Sequence, residues 1–440
     1  ALVSSAPPDR GRQFYLAAAR GLPPSDDAGG NDSVEDGFAR RRIALSSWLE
    51  DIRRATGEDR PDPDLGAWGY PMEGPESFFM TSGWSRPSIG ILAADPEYTA
   101  CFYIRLKSPL LDLHRKGLIE LVQIQELRNG KLSIDFEAAR KLDVLVVQRH
   151  LPGILPYAKL MRLLGNDRPK IVYEIDDALT MVPEDHVAHA NCCAVSPWIE
   201  EYLRKADLVT VSTEALKSYF AAYHRNIVVL PNALDMRLWA GAWKERPPGR
   251  PVRILFSGTM THSADLRIIE SALEKVVTEF GDRVELLFWG NSSPRLQRHP
   301  QTRALHHFLP DYAAYAQRLK LTEADFAVIP LAESPFNKAK SAIKWIEYSA
   351  CRIPGIYSNV DAYNTLVQNG QTGILVNNTT EDWYAAIKKM IVDPSFRQRL
   401  AGNAHTALLL DHTVAGASGK WLHASRSLFA PVSVIIPVFN

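Results

Sequence analysis

Short apolar segments alternate with amphipathic segments of helical spacing from Ser88 onward. The apolar segments include "SIGILAA", "DVLVVQR", "KIVYEIDD" and "DLVTVST", and segments such as "RLKSPLLDLHRKG", "LPYAKLMRLLG" and "PWIEEYLRKA" separate them. Apolar strands with no polar alternation are typical of a parallel sheet that is buried on both faces, and the intervening helices form the crossovers. The alternation predicts a doubly wound α/β fold.

The alternation is interrupted once, by the Pro-, Gly- and charge-rich stretch "GAWKERPPGRP". It resumes with "VRILFSG", "VELLFWG", "ADFAVIPL" and "TGILVN". A chain of 440 residues is too long for one core of ordinary size, and such a stretch is a suitable interdomain linker. We therefore predict two tandem Rossmann-like domains, at 87–245 and 246–410, followed by a helical return at 411–430.

Both ends of the chain differ from this pattern. Residues 1–86 are rich in Pro, Gly and Asp and read as a loop-rich extension, with one amphipathic helix at Phe38–Ile52 that we expect to pack through Trp48 and Leu49. Residues 431–440, "PVSVIIPVFN", form a strongly apolar segment. We predict that this segment forms one strand.

Composition excludes several classes of protein. Fifty basic residues balance fifty acidic ones, which argues against a broad nucleic-acid surface. The four cysteines suit neither a disulfide framework nor a zinc site, and adjacent Cys192 and Cys193 have no second pair nearby.

No apolar run reaches the ~20 residues of a membrane span, and there is no signal-peptide pattern. We predict a cytoplasmic protein, and attachment at the inner face of a membrane stays open. Since the first residue is not Met, we expect a processed or excised piece.

Small polar residues follow the strands of the second predicted domain. In a doubly wound sheet, ligands bind beyond the carboxyl ends of the strands, where helix N-termini offer free N–H groups. The segment "FSGTMTHSADL" places Gly258, Thr259 and His262 at such an end, with Thr261 and Ser263 as further capping or phosphate-binding hydroxyls. An ordinary strand-to-helix turn is the alternative for this segment alone.

The stretch "KSAIKWIEYSACRIPGIYS" places charge where a helix should begin. We predict that Ser341 lies near the N-cap and that Lys340 and Lys344 share one helical face. Two cations at a helix N-terminus are unfavourable unless an anion such as a diphosphate offsets them. Glu347, one turn deeper, would accept hydrogen bonds from ligand hydroxyls such as those of a ribose, and Asn337 completes this candidate set. A solvated Lys–Glu pair is the alternative.

The ordered set of Glu347, "SACRIPGIYS" and "QNGQTGILV" resembles the donor-binding half of GT-B fold glycosyltransferases, in particular the large retaining family of bacterial surface-polysaccharide enzymes. "KIVYEIDDAL", "DLVTVST" and "PNALD" resemble strands of that family's first domain, so the resemblance covers about residues 88–410. "PVSVIIPVFN" resembles the opening of a GT-A type glycosyltransferase, which implies that residues 431–440 are the first strand of a truncated following domain; a stray terminal strand is the alternative. The resemblance implies a nucleotide-sugar co-substrate and no catalytic metal or other cofactor.

Three positions depart from the family pattern. Ala339 stands where the first of two glutamates is usual, and Arg352 stands where Gly usually precedes Ile-Pro. The Arg and Lys that commonly follow the second domain's first strand are missing, and Lys340 and Lys344 are expected to supply their charge. Sugar identity and a retaining or inverting outcome therefore stay open.

The first domain provides candidates for the acceptor side. By the resemblance, Arg105 is the expected anion contact, with Ser108 as a cap. Glu174, Asp176 and Asp177 end the strand "KIVYEIDD", and alternation along the strand favours Asp176 or Asp177 for the cleft. A Mg²⁺ site made by the three carboxylates is the competing interpretation.

Together these features predict a glycosyltransferase that moves a sugar from a nucleotide-sugar donor to a glycan or lipid-linked acceptor in bacterial polysaccharide biosynthesis. Asp176, Asp177 and His262 are the catalytic candidates. No nucleic-acid partner is expected, whereas a further glycosyltransferase domain in the full-length chain is. A GT-B fold epimerase acting on a nucleotide sugar and a non-catalytic sugar- or partner-binding domain are the alternatives.

Overall fold

A computed structural model describes residues 86–128, 131–241, 249–305 and 309–429 of the chain. The predicted helix at Phe38–Ile52, most of the predicted linker with the 245/246 domain boundary, and the terminal segment 431–440 lie outside the described residues. Of these described residues, those between 87 and 125 and between 135 and 429 belong to one compact unit, and Arg86 and those between 126 and 134 belong to another.

The first sheet has six parallel strands in the order β2-β1-β5-β6-β7-β8. In chain order the strands of this half are β1 (Ser88–Ala93), β2 (Glu120–Val122), β3 (Gln125–Arg128), β4 (Lys131–Ile134), β5 (Val144–Gln148), β6 (Lys170–Glu174), β7 (Leu208–Val211) and β8 (Ile227–Val229). Strands β3 and β4 pair with each other outside this sheet.

Helices connect these strands. They are α1 (Ala100–Phe102), α2 (Ser108–Arg115), α3 (Phe136–Arg140), α4 (Tyr157–Leu164), α5 (His189–Lys205), α6 (Glu214–Phe220) and α7 (Met236–Trp239), with a π-helical turn at Tyr103–Lys107 and a 3₁₀ turn at Leu151–Gly153.

The second sheet also has six parallel strands, in the order β11-β10-β9-β12-β13-β14. Its strands are β9 (Val252–Gly258), β10 (Val284–Gly290), β11 (Thr302–Leu305), β12 (Phe326–Ile329), β13 (Gly355–Ser358) and β14 (Ile374–Val376). The helices are α8 (Ser263–Phe280), α9 (Tyr312–Lys320), α10 (Pro335–Lys338), α11 (Ile343–Ala350), α12 (Asp361–Asn364), α13 (Thr380–Val392), α14 (Pro394–Asp411) and α15 (Val414–Ser427), with 3₁₀ turns at Met260–His262, Gly281–Arg283 and Leu296–Arg298.

Each sheet is covered by helices, and the last helix returns to the first sheet. Trp421 and Ala424 of α15 join Leu110 and Leu113 of α2 in one buried apolar cluster beneath that sheet. The prediction of two doubly wound α/β halves is confirmed. No helix among the described residues combines the length and hydropathy that crossing a bilayer requires.

Two predicted elements differ from those observed. The segment "IELVQIQEL", whose apolar residues predict one strand, is divided between β2 and β3. Helix α5 begins at His189, eight residues before the Pro197 at which we expected it to start, so Pro197 lies inside the helix. The short elements β11 and α10 were not predicted from the sequence.

Candidate donor and acceptor site

The carboxyl end of β9 carries His262, one of the predicted catalytic residues. Its Nδ1 lies 2.7 Å from Oδ2 of buried Asp265, whose Oδ1 accepts a hydrogen bond from the Ala332 backbone N–H at 2.7 Å. Burial and nearby Lys344 lower the pKa of His262 to about 4, although the hydrogen bond to Asp265 opposes this. His262 is therefore neutral at pH 7, and an Nδ1–H donor would leave Nε2 as an acceptor.

Gly258 lies against the side chain of His262, and its predicted close approach to a ligand stays a prediction. A Cβ on Gly258 would lie 3.0 Å from the Cβ of His262, so glycine lets the imidazole lie against the end of the strand. The predicted capping role of the hydroxyls is wrong, because no side chain caps the turn or the helix that follows. The hydroxyls of Thr259 and Thr261 form a hydrogen bond to each other at 2.7 Å, and Ser263 Oγ donates to the Met260 carbonyl at 2.7 Å and accepts from Asn291 Nδ2 at 3.1 Å. Phosphate binding by these hydroxyls stays a prediction.

The stretch that begins at Lys340 does not start as predicted. Helix α11 begins at Ile343, its N-cap residue is Ala342, and no side chain caps it. Ser341 directly precedes the N-cap residue, so the prediction that it lies near the N-cap is confirmed. Lys340 also precedes the helix, so it does not share a helical face with Lys344. The Lys340 ammonium lies 4.8 Å from the centre of the Phe336 ring. Its charge affects groups in both halves of the chain. It opposes the rise in the pKa of Asp177, and it adds to the fall in the pKa of His262.

Lys344 is held on the first turn of α11. Its Nζ donates to the Ser257 carbonyl at the end of β9. Burial lowers the pKa of Lys344 to about 8, although Glu347 and Asp265 oppose the change. This contact holds Lys344 near His262. The lowered pKa means that the protein itself stabilises the Lys344 ammonium only weakly. An anion bound nearby would therefore stabilise it strongly.

Glu347 is 5% exposed, and both of its carboxylate oxygens have a partner. Tyr312 and Tyr315 donate to Oε1 and Oε2 at 2.9 and 3.0 Å. Burial raises the pKa of Glu347 to about 7, although these hydrogen bonds oppose the rise. The expected open carboxylate for ligand hydroxyls is thus occupied by tyrosines, and any direct contact with a ligand would use the remaining lone pairs.

The loop between β12 and α11 has its own hydrogen bonds. Ser334 caps the short helix α10 by accepting from the Asn337 backbone N–H at 3.1 Å, and Asn337 Nδ2 donates to the Ala332 carbonyl at 2.9 Å. Asn337 therefore shapes this loop, and a ligand contact by Asn337 stays a prediction.

Asp176 and Asp177 follow β6 and face a residue that the sequence analysis did not select. Arg149 Nη1 lies 3.1 Å from Asp176 Oδ1, and Nη2 lies 3.6 Å from Asp177 Oδ2. Burial and the adjacent Asp176 raise the pKa of Asp177, while Arg149 and Lys340 oppose the rise. A carboxylate of raised pKa next to a cation that orients it has the properties of a general base or an acceptor-hydroxyl ligand.

The other first-domain candidates lie deeper. Glu174 is 0% exposed and accepts from Arg105 Nε at 2.7 Å and from Gln148 Nε2 at 3.1 Å, which agrees with the expectation that it faces inward. Arg105 is 2% exposed and also donates to the Leu230 carbonyl and to Asn232 Oδ1. Ser108 continues a helical turn and caps nothing. Arg105 is thus part of a buried network, and the expected anion contact stays a prediction.

The carboxyl ends of the two sheets meet through hydrogen bonds within this unit. Thr213, after β7, donates to the Ala339 carbonyl at 3.0 Å, and Asn232, after β8, donates to Ser341 Oγ at 2.8 Å. The arrangement therefore places Lys340 between the first-domain carboxylates and Lys344 with His262. Across the described ranges, no group of three or more His, Cys, Asp or Glu side chains is arranged to hold a metal ion.

Several of these partners were missed from the sequence. Arg149 was assigned to a strand, Asn232 to the "PNALD" motif, and Tyr312 and Tyr315 to an ordinary helix. The one available signal was the position of Arg149 directly after the apolar segment "DVLVVQ", where a charged residue leaves the sheet at its carboxyl end. The tyrosines, 32 and 35 positions before Glu347, gave no local signal.

Residues 251–393 match the family model described as "Glycosyl transferases group 1". A glycogen synthase of Mycobacterium tuberculosis is 27% identical over 248 residues, which cover 53% of this chain and 57% of that protein. The chain thus spans little more than half the length of this curated relative.

Solved structures show the same fold. Sucrose-phosphate synthase from Thermosynechococcus elongatus has a TM-score of 0.56 at 16% identity, covering 78% of this chain and 99% of that one. Anabaena HepE in complex with UDP and glucose also has a TM-score of 0.56, at 14% identity, covering 78% of this chain and 100% of that one. The described residues therefore have the GT-B fold.

Proposed function

We propose that this chain, which carries a group 1 glycosyltransferase domain in a GT-B fold, transfers a sugar from a nucleotide-sugar donor to a hydroxyl of a glycan or lipid-linked acceptor. The observation that carries the proposal is the position of Lys340. It lies between residues tied to the first domain, and its charge reaches both Asp177 and His262. A bound diphosphate would place its negative charge beside Lys340 and Lys344.

The second domain binds the donor in this proposal. Lys344 and Lys340 offset the diphosphate charge, which grows on the leaving group as the glycosidic bond breaks, so they stabilise the transition state more than the ground state. Neutral His262 offers Nε2 to a hydroxyl of the sugar. Glu347, fixed by Tyr312 and Tyr315, orients α11 and with it Lys344.

The first domain binds the acceptor. Asp177, oriented by Arg149, accepts the hydrogen bond of the attacking hydroxyl, and Asp176 shares the same guanidinium. The proton that leaves the hydroxyl passes to a carboxylate of this pair or to the departing phosphate. Either route is consistent with a retaining or an inverting outcome, and Ala339 at the position of the usual first glutamate leaves that choice open.

One of the structures with this fold, HepE, was solved in complex with UDP and glucose. This supports a nucleotide-sugar donor and makes UDP a reasonable first probe. We further propose that the protein acts in the cytoplasm, in bacterial polysaccharide biosynthesis, and that peripheral contact with a membrane brings it to lipid-linked acceptors.

A donor panel tests the proposal. The protein is incubated with UDP-, GDP-, ADP- and dTDP-sugars, with and without neutral oligosaccharide acceptors, and the nucleotide and sugar products are quantified. Release of nucleoside diphosphate that increases with acceptor supports transfer. Conversion to a new nucleotide sugar without release would indicate an epimerase, and binding without any product would indicate a non-catalytic domain.

A further inference from the structure

A buried polar chain runs from the interior of the first domain to the loop of Lys340. Glu174 Oε1 accepts from Arg105 Nε at 2.7 Å, and Arg105 Nη1 donates to Asn232 Oδ1 at 2.9 Å. Asn232 Nδ2 then donates to Ser341 Oγ at 2.8 Å. Every link joins residues more than 60 positions apart in the sequence, so this chain of contacts exists only in the folded protein.

Stability alone does not account for this chain of contacts, because its charged members are buried. Glu174 is 0% exposed, Arg105 is 2% exposed, and Nη2 of Arg105 lacks a partner. Buried ion pairs contribute little net stability compared with apolar residues of similar size. The buried guanidinium of Arg105 does, however, fix the orientation of the Asn232 amide. The amide oxygen faces Arg105, so the amide N–H₂ faces Ser341.

The two residues that flank Lys340 are both held by the first domain. Thr213 donates to the Ala339 carbonyl at 3.0 Å, and Asn232 holds Ser341. Since Asn232 donates to Ser341 Oγ, the hydroxyl hydrogen of Ser341 stays available for another acceptor. A phosphate oxygen beside Lys340 is an acceptor of the right kind.

We propose that Asn232 is a positioning residue that acts through Ser341: it aims the Ser341 hydroxyl and the Lys340 backbone toward the diphosphate of the donor. The inference rests on the proposed function, since it assumes a nucleoside diphosphate in this place. It adds that the first domain, assigned to the acceptor, also sets donor affinity.

Binding measurements on single and double variants test this role. Wild-type protein is first titrated by calorimetry with UDP, GDP, ADP and dTDP, and the tightest-binding nucleotide is used thereafter. Asn232→Ala and Ser341→Ala should each weaken binding by about 3- to 12-fold, the range for losing one neutral hydrogen bond. The double variant should bind no more weakly than Ser341→Ala, because Asn232 acts through Ser341.

A matched control separates positioning from folding. Asn226 Nδ2 donates to the Asp207 carbonyl at 3.0 Å, at the amino end of β8, whereas Asn232 lies beyond the carboxyl end of the same strand. Asn226→Ala also removes one amide hydrogen bond from the first domain, but it should leave nucleotide affinity unchanged. With a productive donor, Asn232→Ala should raise KM for the donor and change kcat less than twofold, whereas a general loss of structure lowers kcat and Tm together.

The outcomes separate failure of the proposed function from failure of the proposed role of Asn232. If wild-type protein binds none of the four nucleotides, the proposed function fails and the role of Asn232 fails with it. If wild-type protein binds a nucleotide and both single variants bind it equally well, only the role of Asn232 is overturned. Additive losses in the double variant would also overturn it, because they would show that Asn232 acts independently of Ser341.

Discussion

Replacing Lys344 with Met should stabilise the free protein and weaken donor binding. Lys344 donates to the Ser257 carbonyl from a half-buried position, and burial lowers its pKa from 10.5 to about 8. A pKa difference of that size means that keeping Lys344 charged lowers the free energy of unfolding by about 3 kcal/mol at pH 7. Met has a similar length and carries no charge, so the substitution removes this cost.

The expected magnitude follows from two opposing contributions. Loss of the hydrogen bond to Ser257 costs about 1 kcal/mol, which leaves a net gain of about 1–2 kcal/mol in the free energy of unfolding. The ammonium no longer faces the diphosphate, so nucleotide binding should weaken by about 1–3 kcal/mol, the value of a charge-assisted hydrogen bond. Stability and affinity therefore change in opposite directions.

Urea unfolding and calorimetric titration with the tightest-binding nucleoside diphosphate measure the two quantities. Lys320→Met is the matched control: Lys320 is also half-buried, its pKa is also lowered by burial, and it donates to the Leu238 and Ala240 carbonyls at 3.0 and 3.2 Å. It lies at the C-terminal end of α9, so its replacement should leave nucleotide affinity unchanged. Unchanged affinity in a folded Lys344→Met protein would refute the diphosphate role, and a loss of stability would refute the electrostatic reasoning.

Three further outcomes are expected. Nucleotide affinity should fall as pH rises above about 8, because Lys344 loses its proton there, and calorimetry between pH 6.5 and 9.5 should show a much flatter profile for Lys344→Met. Asp177→Asn should lower the transfer rate by about 10²-fold or more while nucleotide affinity stays unchanged, since an amide cannot take a proton; a near-normal rate in both Asp177→Asn and Asp176→Asn would make the pair structural. The raised pKa of Glu347 makes the fold lose stability as pH rises from 4.5 to about 7, because the folded state holds this proton more tightly than the unfolded state, and urea unfolding of Glu347→Gln should show a smaller loss over that window.

Local pattern was enough to predict the strands and helices that form the two sheets. Segments such as "KIVYEIDD" and "VRILFSG" are apolar along their whole length because helices cover both faces, and that property is visible in the sequence. The carboxyl ends of those strands could then be identified by counting along each segment. This is why His262, Asp176 and Asp177 were chosen and why each is found at a strand end.

The partners of those residues could not be predicted, because they come from distant positions. Whether Glu347 is open or closed depends on two tyrosines of another helix, and Asp177 depends on the left-handed backbone of Arg149, whose φ is 43°. A non-glycine residue seldom adopts that conformation, and no local motif announces it. Lys340 was wrongly placed on α11 for a related reason: the segment before Ile343 is held by distant residues, among them Asn232, which donates to Ser341 Oγ.

The return of α15 to the first sheet also constrains how the protein can be made. Trp421 and Ala424 help cover α2, which is synthesised roughly 300 residues earlier, and α15 starts 414 − 229 = 185 residues after the end of β8. At about 5–20 residues per second, a ribosome takes about 10–40 seconds to cross that interval. During this time the first sheet is complete while part of its apolar helix layer is exposed. A chaperone that recognises apolar helices has its longest opportunity then, and a fragment ending at residue 241 would keep that surface exposed permanently.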